Sequence, residues 1–231
     1  MSYTEFFEYV KSGNILKASL YLERLPDLNE KDDAGYTLLH LAVIKDSWDA
    51  SHLLLSQGAD VNSRCDFMDK TSLHLACFFE STHHQIIDLL LIHGADTLSL
   101  DSYGQTPLHL ACYHGNKEHL ERLLKSKRDI DGATKNSRKF TPLMCAIWRK
   151  DINFVKTLIS AGADVNFIVH AHGVLHTPMH VAAQVGCLEI VQILDQCGAR
   201  KDIVDIEGNT AVDLALDESV YSYLTNQEAV S

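Results

Sequence analysis

The chain has 231 residues, of which 46% are hydrophobic and 22% are charged, the composition of an ordinary soluble globular protein. Thirty-one acidic against twenty basic residues give a formal net charge of −11, which argues against a nucleic-acid binder that relies on its overall field. No apolar segment approaches the ~20 residues of a membrane-spanning helix, the first ten residues lack a signal-peptide pattern, and the six cysteines lack the spacing of a disulfide framework. We therefore expect a cytoplasmic protein, with the nucleus as an alternative location.

One motif, a threonine followed by small and medium apolar residues, returns six times along the chain. It occupies residues 37–42, 71–76, 106–111, 141–146, 177–182 and 210–215, and its threonines are separated by 34, 35, 35, 36 and 33 residues. A second motif, Gly-Ala, returns between them at Gly58, Gly94, Gly162 and Gly198. Two motifs that share one period indicate an internal structural repeat.

Each motif predicts a particular local structure. A threonine can cap a helix by accepting a hydrogen bond from a first-turn amide, and a proline directly after it sits where its missing N–H does no harm. A second apolar stretch follows and ends in pairs such as Leu54-Leu55, and the glycine after it suits a left-handed helix end. One unit is therefore turn, helix, helix and loop, and units must stack because one alone cannot bury its apolar face.

These motifs resemble the ankyrin-repeat pattern D-x-x-G-x-T-P-L-H-L-A-A followed by G-A-D-V-N, over about residues 4–224. The resemblance implies an all-α solenoid of helix-turn-helix repeats with β-turn or hairpin loops, forming a single domain over residues 1–231. Its expected parts are an N-terminal capping repeat at 1–31, full repeats at 32–65, 66–100, 101–135, 136–171 and 172–204, and a truncated C-terminal repeat and tail at 205–231. Asp69, Lys139 and Leu175 depart from the pattern at its turn glycine, and residues 131–140 and 167–176 each carry a small insertion.

Thirteen histidines raise the question of a metal or catalytic site. Four occupy the motif position, where the family's imidazole bridges backbone groups of neighbouring loops, and these are His40, His74, His109 and His180. His170, His172 and His176 could bind zinc or nickel, but no Cys pair or HExxH helix accompanies them. There is also no nucleophile elbow, P-loop or paired-carboxylate motif. We therefore expect no enzyme activity, no cofactor and no physiological metal site.

The resemblance also implies where a partner would bind. Contacts in ankyrin-repeat proteins commonly come from the loop tips and from the exposed end of each first helix, and here those positions are unusually aromatic. Because aromatic residues and arginine anchor protein interfaces, we predict a partner-binding groove on the concave face, centred on the second to fourth full repeats. Its residues are Tyr36, Phe67, Met68, Phe78, Phe79, Tyr103, Tyr113, His114, Arg138, Phe140, Trp148 and Arg149. Packing between neighbouring loops is the alternative for some rings, above all Phe78 and Phe79.

Basic residues concentrate in part of the same region. Between Lys125 and Lys150 there are eight basic and two acidic residues, so this segment carries +6 and the rest of the chain −17. The segment is either a solvated loop face or a basic patch beside Trp148 and Phe140 that accepts an acidic segment of the partner.

The leading hypothesis is a non-enzymatic adaptor or stoichiometric inhibitor, monomeric on its own, that binds another protein. We expect neither a nucleic-acid nor a membrane partner. The alternatives are a pathogen effector of the same fold that acts on a host protein, a structural bridge within a larger assembly, and a His-dependent metal-binding protein.

Overall fold

The computed structural model of the chain describes residues 3–79, 84–125, 130–132, 134, 140–171 and 174–228. These residues form thirteen α-helices and one two-stranded sheet, so the predicted all-α class is confirmed, with one short hairpin added. The first helices are α1 (Thr4–Lys11), α2 (Ile15–Leu22), α3 (Leu38–Ile44), α4 (Trp48–Ser56), α5 (Ser72–Phe78) and α6 (His84–Ile92). The later elements are α7 (Pro107–His114), α8 (Lys117–Leu124), α9 (Pro142–Trp148), α10 (Ile152–Ser160), β1 (Val169–Ala171), β2 (Val174–His176), α11 (Pro178–Val185), α12 (Leu188–Gln196) and α13 (Glu218–Glu228).

The elements group into two compact units, Met1–Leu110 with Glu118–Ser126 and Ala111–Lys117 with Lys127–Ser231. In the first unit α1 packs on α2, α3 on α4 and α5 on α6, while α3 also contacts α5 and α4 contacts α6. In the second unit α9 packs on α10 and α11 on α12, while α9 also contacts α11 and α10 contacts α12. Within each unit, consecutive helix pairs therefore stack one on the next, as the repeat period predicts. The limits of the individual repeats and the single domain over residues 1–231 remain predictions.

The core of each unit is built from the aliphatic positions of the repeated motifs. In the first unit the completely buried side chains include Phe6, Leu38, Leu54, Leu73, Ile87 and Leu90. In the second unit they include Leu143, Val155, Leu158, Val181, Ile190 and Leu194. Because complete burial of such a side chain contributes roughly 1.5–3 kcal/mol, the stacked pairs supply most of the stability that the isolated short helices lack.

The motif threonines cap helices where the sequence predicts them. The hydroxyl oxygens of Thr37, Thr71, Thr141 and Thr177 accept a hydrogen bond from the amide three residues later, at 3.3–3.4 Å. This bond satisfies one of the amides that a helix leaves without a partner in its first turn. At the other end of a helix pair, Gly58 follows α4 with φ of 91°, and a Cβ there would meet nothing within 4 Å. The left-handed backbone, not lack of space, is therefore what favours glycine at this position.

The insertion at residues 167–176 forms the hairpin β1–β2. The two strands pair antiparallel, with Val169 opposite His176 and Ala171 opposite Val174. Leu175, which stands at the family's glycine position, therefore lies in a strand and does not need the left-handed conformation of a turn glycine. The insertion near residues 131–140 lies mostly outside the described residues, as does Lys139.

The last motif differs from the others because its threonine starts no α-helix. Residues 211–214 form turns, and Asp213, which replaces the motif histidine, accepts hydrogen bonds from the Thr210 amide at 2.7 Å and the Thr210 hydroxyl at 2.8 Å. These hydrogen bonds lower the pKa of the Asp213 carboxyl. A carboxylate can accept from Thr210 as the histidine ring does, but it cannot also donate to the carbonyl of another loop.

Three motif histidines link the start of their own helix to a later loop. These histidines are His40, His74 and His180. In each, the ring Nδ1 accepts a hydrogen bond from the amide of the capping threonine, at 3.2–3.3 Å. An accepting Nδ1 assigns the ring proton to Nε2, which then donates to a backbone carbonyl. The carbonyls belong to Ser63, Gln105 and Asn209, at 3.1, 3.0 and 3.4 Å. The predicted structural role of the motif ring is therefore seen at these three positions.

Burial controls the protonation of these rings. It lowers the pKa of His40 and of His74 to about 4, because the charged ring would lose its hydration. Burial also lowers the pKa of His180. All three rings are therefore neutral at neutral pH, which is the state that the bonding pattern requires.

Replacing the fourth motif histidine, His109→Ala, is expected to lower the free energy of unfolding by about 1–3 kcal/mol. The ring is buried and accepts from the Thr106 amide at 3.1 Å, so its removal leaves that buried amide without its partner. Urea denaturation followed by circular dichroism measures the change. The control is His93→Ala, which removes an exposed ring that bonds the Leu89 carbonyl four residues earlier. An unchanged denaturation midpoint for His109→Ala would contradict the structural role of this ring.

Candidate protein-binding surface

The loop tip at residues 66–70, called here the Phe67 tip, displays an exposed ring on a strained backbone. Met68 and Asp69 both have left-handed backbone conformations, with φ of 56° and 53°. Each such residue costs roughly 1–2 kcal/mol when it is not glycine. Phe67, directly before them, leaves 39% of its surface exposed.

Arg64 holds the Phe67 tip in this conformation. Its Nη1 donates to the backbone carbonyl of Asp69 at 3.1 Å, to the Asp69 carboxylate at 2.6 Å and to the carbonyl of Leu100 at 2.7 Å. The carbonyl of Met68 in turn accepts from the Ser102 amide at 2.9 Å, so the tip is tied to the next loop. Strained backbone persists only where the surroundings over-determine it, and these bonds supply that constraint.

A buried ion pair lies beneath the Phe67 tip. Lys70 Nζ donates to Asp101 Oδ2 at 2.5 Å, and both side chains are almost completely buried. The other oxygen of Asp101 accepts from the amides of Tyr103 and Gln105, at 2.9 Å each. The Lys70 ammonium also lies 5.6 Å from the centre of the Phe78 ring, within cation–π range. The pair therefore joins two consecutive loop tips, and Phe78 covers it on one side.

In the second unit, Tyr113, Phe140, Trp148 and Arg149 form what we call the Arg149 cluster. The rings of Phe140 and Trp148 lie with their centres 5.9 Å apart. Tyr113 and Trp148 leave 52% and 42% of their surfaces exposed. Arg149 Nη1 donates to the backbone carbonyl of Tyr113 at 2.6 Å, across 36 residues of sequence. Arg149 therefore bridges the equivalent helix ends that carry Tyr113 and Trp148.

Gly115 makes room for that bridge. It follows α7 with φ of 74°, and a Cβ on it would lie 2.3 Å from Nη2 of Arg149. The guanidinium therefore lies against the backbone at the C-terminal end of α7, where the helix dipole favours a positive charge. The sequence predicted Arg149 as a partner contact but not this bond, because nothing in the local sequence around Gly115 points to a residue in the next repeat.

The twelve residues predicted to contact a partner divide between the two units. The exposed ones are Phe67, Tyr103, Tyr113, Trp148 and Arg149. The half-buried ones are Tyr36, Met68, Phe78, Phe79, His114 and Phe140. Phe78 and Phe79 are therefore partly covered by the protein itself, which is compatible with the alternative that these rings pack between neighbouring loops. Arg138 lies outside the described residues. The role of these residues in binding remains a prediction.

The histidines before α11 were the alternative site. Among the residues that the structure describes, no group of three or more His, Cys, Asp or Glu side chains could hold a metal ion. His172 and the side chain of His170 lie outside that part of the chain. His176 packs with its ring centre 6.3 Å from that of His180, and burial lowers the pKa of His176. His180 is itself engaged by Thr177 and Asn209 through its two ring nitrogens.

None of the helices in the described part of the chain has the length and apolar content that a bilayer crossing requires. Stacked helix pairs with threonine caps, bridging histidines and left-handed glycines define a helical-repeat protein, in which neighbouring repeats form one surface. Family models for ankyrin repeats match residues 6–101, 73–169 and 175–206. The chain belongs to the ankyrin-repeat family.

The chain is also similar in sequence and in structure to known ankyrin-repeat proteins. Human palmitoyltransferase ZDHHC13 is 31% identical over 192 residues, a match that covers 82% of this chain and 30% of the enzyme. The ankyrin repeat domain of Bcl-3, a unique member of the IkappaB protein family, superimposes with a TM-score of 0.83 at 26% identity, covering 95% of this chain and 97% of that one. The ankyrin repeat domain of human ASB11 superimposes with a TM-score of 0.74 at 27% identity, and the match covers 96% of each chain. The chain spans about a third of the length of the palmitoyltransferases that it matches.

Proposed function

We propose that this chain is a non-enzymatic interaction module that binds another protein through its loop tips and first-helix ends. Ankyrin repeats generally bind other proteins, and the fold is typically non-catalytic. The observation that carries the proposal is the Arg149 cluster, in which Tyr113 and Trp148 are exposed and Arg149 is fixed by the backbone carbonyl of Tyr113. Tyr, Trp and Arg are the residue types most enriched where binding energy concentrates.

The finer role that we propose is that of a cytoplasmic adaptor or stoichiometric inhibitor. The similarity to Bcl-3, a member of the IkappaB family, supports this choice. The palmitoyltransferase resemblance covers less than a third of that enzyme's length, so we propose no acyl transfer for this chain. A pathogen effector of the same fold is the alternative, and the identity of the captured protein distinguishes the two.

The double substitution Trp148→Ala with Tyr113→Ala is expected to abolish partner capture while the protein stays folded. Truncating a central interface aromatic typically costs ~2–4 kcal/mol of binding, whereas losing an exposed side chain changes the free energy of unfolding by roughly 0.5 kcal/mol or less. The measurement compares affinity capture from a cell lysate by the wild-type and doubly substituted proteins, with far-ultraviolet circular dichroism as the folding check.

Trp48→Ala is a matched control for this experiment. Trp48 has the same exposed fraction as Trp148, 42%, but it begins α4, the second helix of a pair, outside the predicted contact positions. Capture should survive this substitution. If the doubly substituted protein folds and still captures the partner as the wild type does, binding uses another face and the proposed surface is wrong.

A further inference from the structure

We propose that the Arg149 cluster selects a partner segment that bears a carboxylate between apolar side chains. This inference rests on the proposed function and specifies the chemistry of the partner at one place. It follows from how the guanidinium is held, from the exposed aromatic residues of the same cluster and from the contrast with the charge of the rest of the chain.

Arg149 is held in a way that preserves its charge for an incoming group. Three other arginines of the described residues pair with a carboxylate of this chain, namely Arg64 with Asp69, Arg122 with Asp88 and Arg200 with Asp202. Arg149 instead donates to a neutral acceptor, the Tyr113 carbonyl, and its guanidinium lies against Gly115. A guanidinium has five donors in one plane, so this single bond orients the group, and no carboxylate of the described residues forms an ion pair with it.

The rings beside Arg149 define what flanks the carboxylate. Trp148 precedes Arg149 in the chain and is itself supported by Phe140, and Tyr113 carries the carbonyl that Arg149 holds. About half of the Tyr113 and Trp148 surfaces face solvent. A carboxylate bound to Arg149 would therefore approach a surface on which exposed aromatic side chains favour apolar neighbours, and loss of water there strengthens the charge-assisted bond.

Charge complementarity favours an acidic occupant over a neutral or basic one. Lys150 adds a second positive charge directly after Arg149. The nearby carboxylates have partners of their own: Asp151 accepts from the Phe154 amide and caps α10, and Asp217 accepts from the amides of Ser219 and Val220 and interacts with Lys150. The group left to attract a carboxylate of the partner is therefore the Arg149 guanidinium. The whole chain has a formal charge of −11, so an acidic segment is repelled by most of the protein and attracted here. That contrast gives positional selectivity.

The test uses Trp148 as the reporter. The chain has two tryptophans, so Trp48→Phe leaves Trp148 as the single fluorophore. The probes are the peptide acetyl-Gly-Glu-Leu-Glu-Leu-Glu-Gly-amide and its isostere with Gln at every Glu. We expect the acidic peptide to change the Trp148 emission saturably and to bind about tenfold more tightly than the Gln peptide, the value of one charge-assisted hydrogen bond. Added salt should reduce this preference.

Substitution at Arg149 separates the proposed role from general charge. Arg149→Met should make the two peptides bind equally, and Arg149→Lys, which keeps the charge without the planar fork, should retain part of the preference. The matched control is Arg200→Met, because Arg200 is also an exposed arginine of this unit but is paired with Asp202, and the preference should not change. Circular dichroism checks that each variant is folded.

The peptide measurements and the capture experiment have outcomes that would contradict the proposal. Equal binding of the two peptides to the Trp48→Phe protein, no binding of either, or a preference that survives Arg149→Met would overturn it. If the Trp148→Ala, Tyr113→Ala protein loses its natural partner while the acidic peptide shows no preference, the proposed function stands and the carboxylate inference fails. If capture survives that double substitution, the proposed surface fails, whatever the peptides show.

Discussion

Lowering the pH from 6.5 towards 4 is expected to reduce the free energy of unfolding of this protein by several kcal/mol. His40 and His74 have a pKa of about 4 in the folded protein because they are buried, against about 6.5 in the unfolded chain. Between these two values the unfolded chain binds protons that the folded protein cannot accept, so stability falls as the pH falls. Each histidine lowers the free energy of unfolding by up to about 1.4 kcal/mol for each pH unit that the pH falls within this window. Above about pH 6.5 the rings are neutral in both states, so no stability is lost there.

Urea denaturation at a series of pH values from 7.5 to 4.5 measures this loss, with the denaturant dependence checked for a constant slope. His74→Gln should be less stable than the wild type at neutral pH, and the difference should shrink as the pH falls, because the variant has lost one of the responsible rings. A free energy of unfolding that stays flat from pH 7 to pH 5 would show that the motif rings are not buried as neutral groups.

Breaking the buried ion pair with Lys70→Met is expected to cost about 3–5 kcal/mol of stability. The substitution keeps the length of the side chain but leaves the Asp101 carboxylate buried with two backbone amides and no cation. Removing one partner of a buried pair leaves an uncompensated charge, which is why the cost greatly exceeds that of a surface pair. Thermal or urea unfolding measures the change.

The chain contains a matched exposed pair for comparison. Lys31 and Asp66, 35 residues apart, also form an ion pair, at 2.6 Å, but their side chains are 42% and 67% exposed. Lys31→Met should therefore cost only about 0–1 kcal/mol. The double substitution Lys70→Met with Asp101→Asn should cost less than the sum of its two single changes, since no buried charge remains. Equal costs for Lys70→Met and Lys31→Met would refute the structural importance of the buried pair.

The buried pair also bears on the predicted binding surface. Lys70 anchors the end of the Phe67 tip, and Asp101 positions the loop that carries Tyr103. Two of the exposed aromatic residues are thus held by one ion pair, so their geometry is fixed before a partner arrives, and preorganisation of this kind reduces the entropic cost of binding. Lys70→Met should therefore weaken any partner contact made through Phe67 even where the variant stays folded.

The features that act within a few residues could be predicted from the sequence alone. The threonine caps, the left-handed conformation of Gly58 and the apolar face of each short helix follow from local chemistry, and their period predicted the fold. The bridging role of the motif histidines could be predicted only through the family resemblance, because their acceptors lie 23 to 31 residues away. Likewise, the aromatic residues could be assigned to tips and helix ends, but not to exposed or half-buried positions.

The contacts between distant side chains could be seen only in the folded structure. Lys70 finds Asp101 across 31 residues and Arg149 finds the Tyr113 carbonyl across 36, and neither contact has a signal in the local sequence. The physical reason is that both depend on how one loop lies against the next, which is set by the packing of whole helix pairs. From the sequence, a lysine in a loop tip is predicted to be a solvated charge, but the stacking of the repeats buries Lys70. An arginine at a helix end is predicted to be a free cation, but Gly115 in the preceding repeat leaves room for the Arg149 guanidinium to bind there.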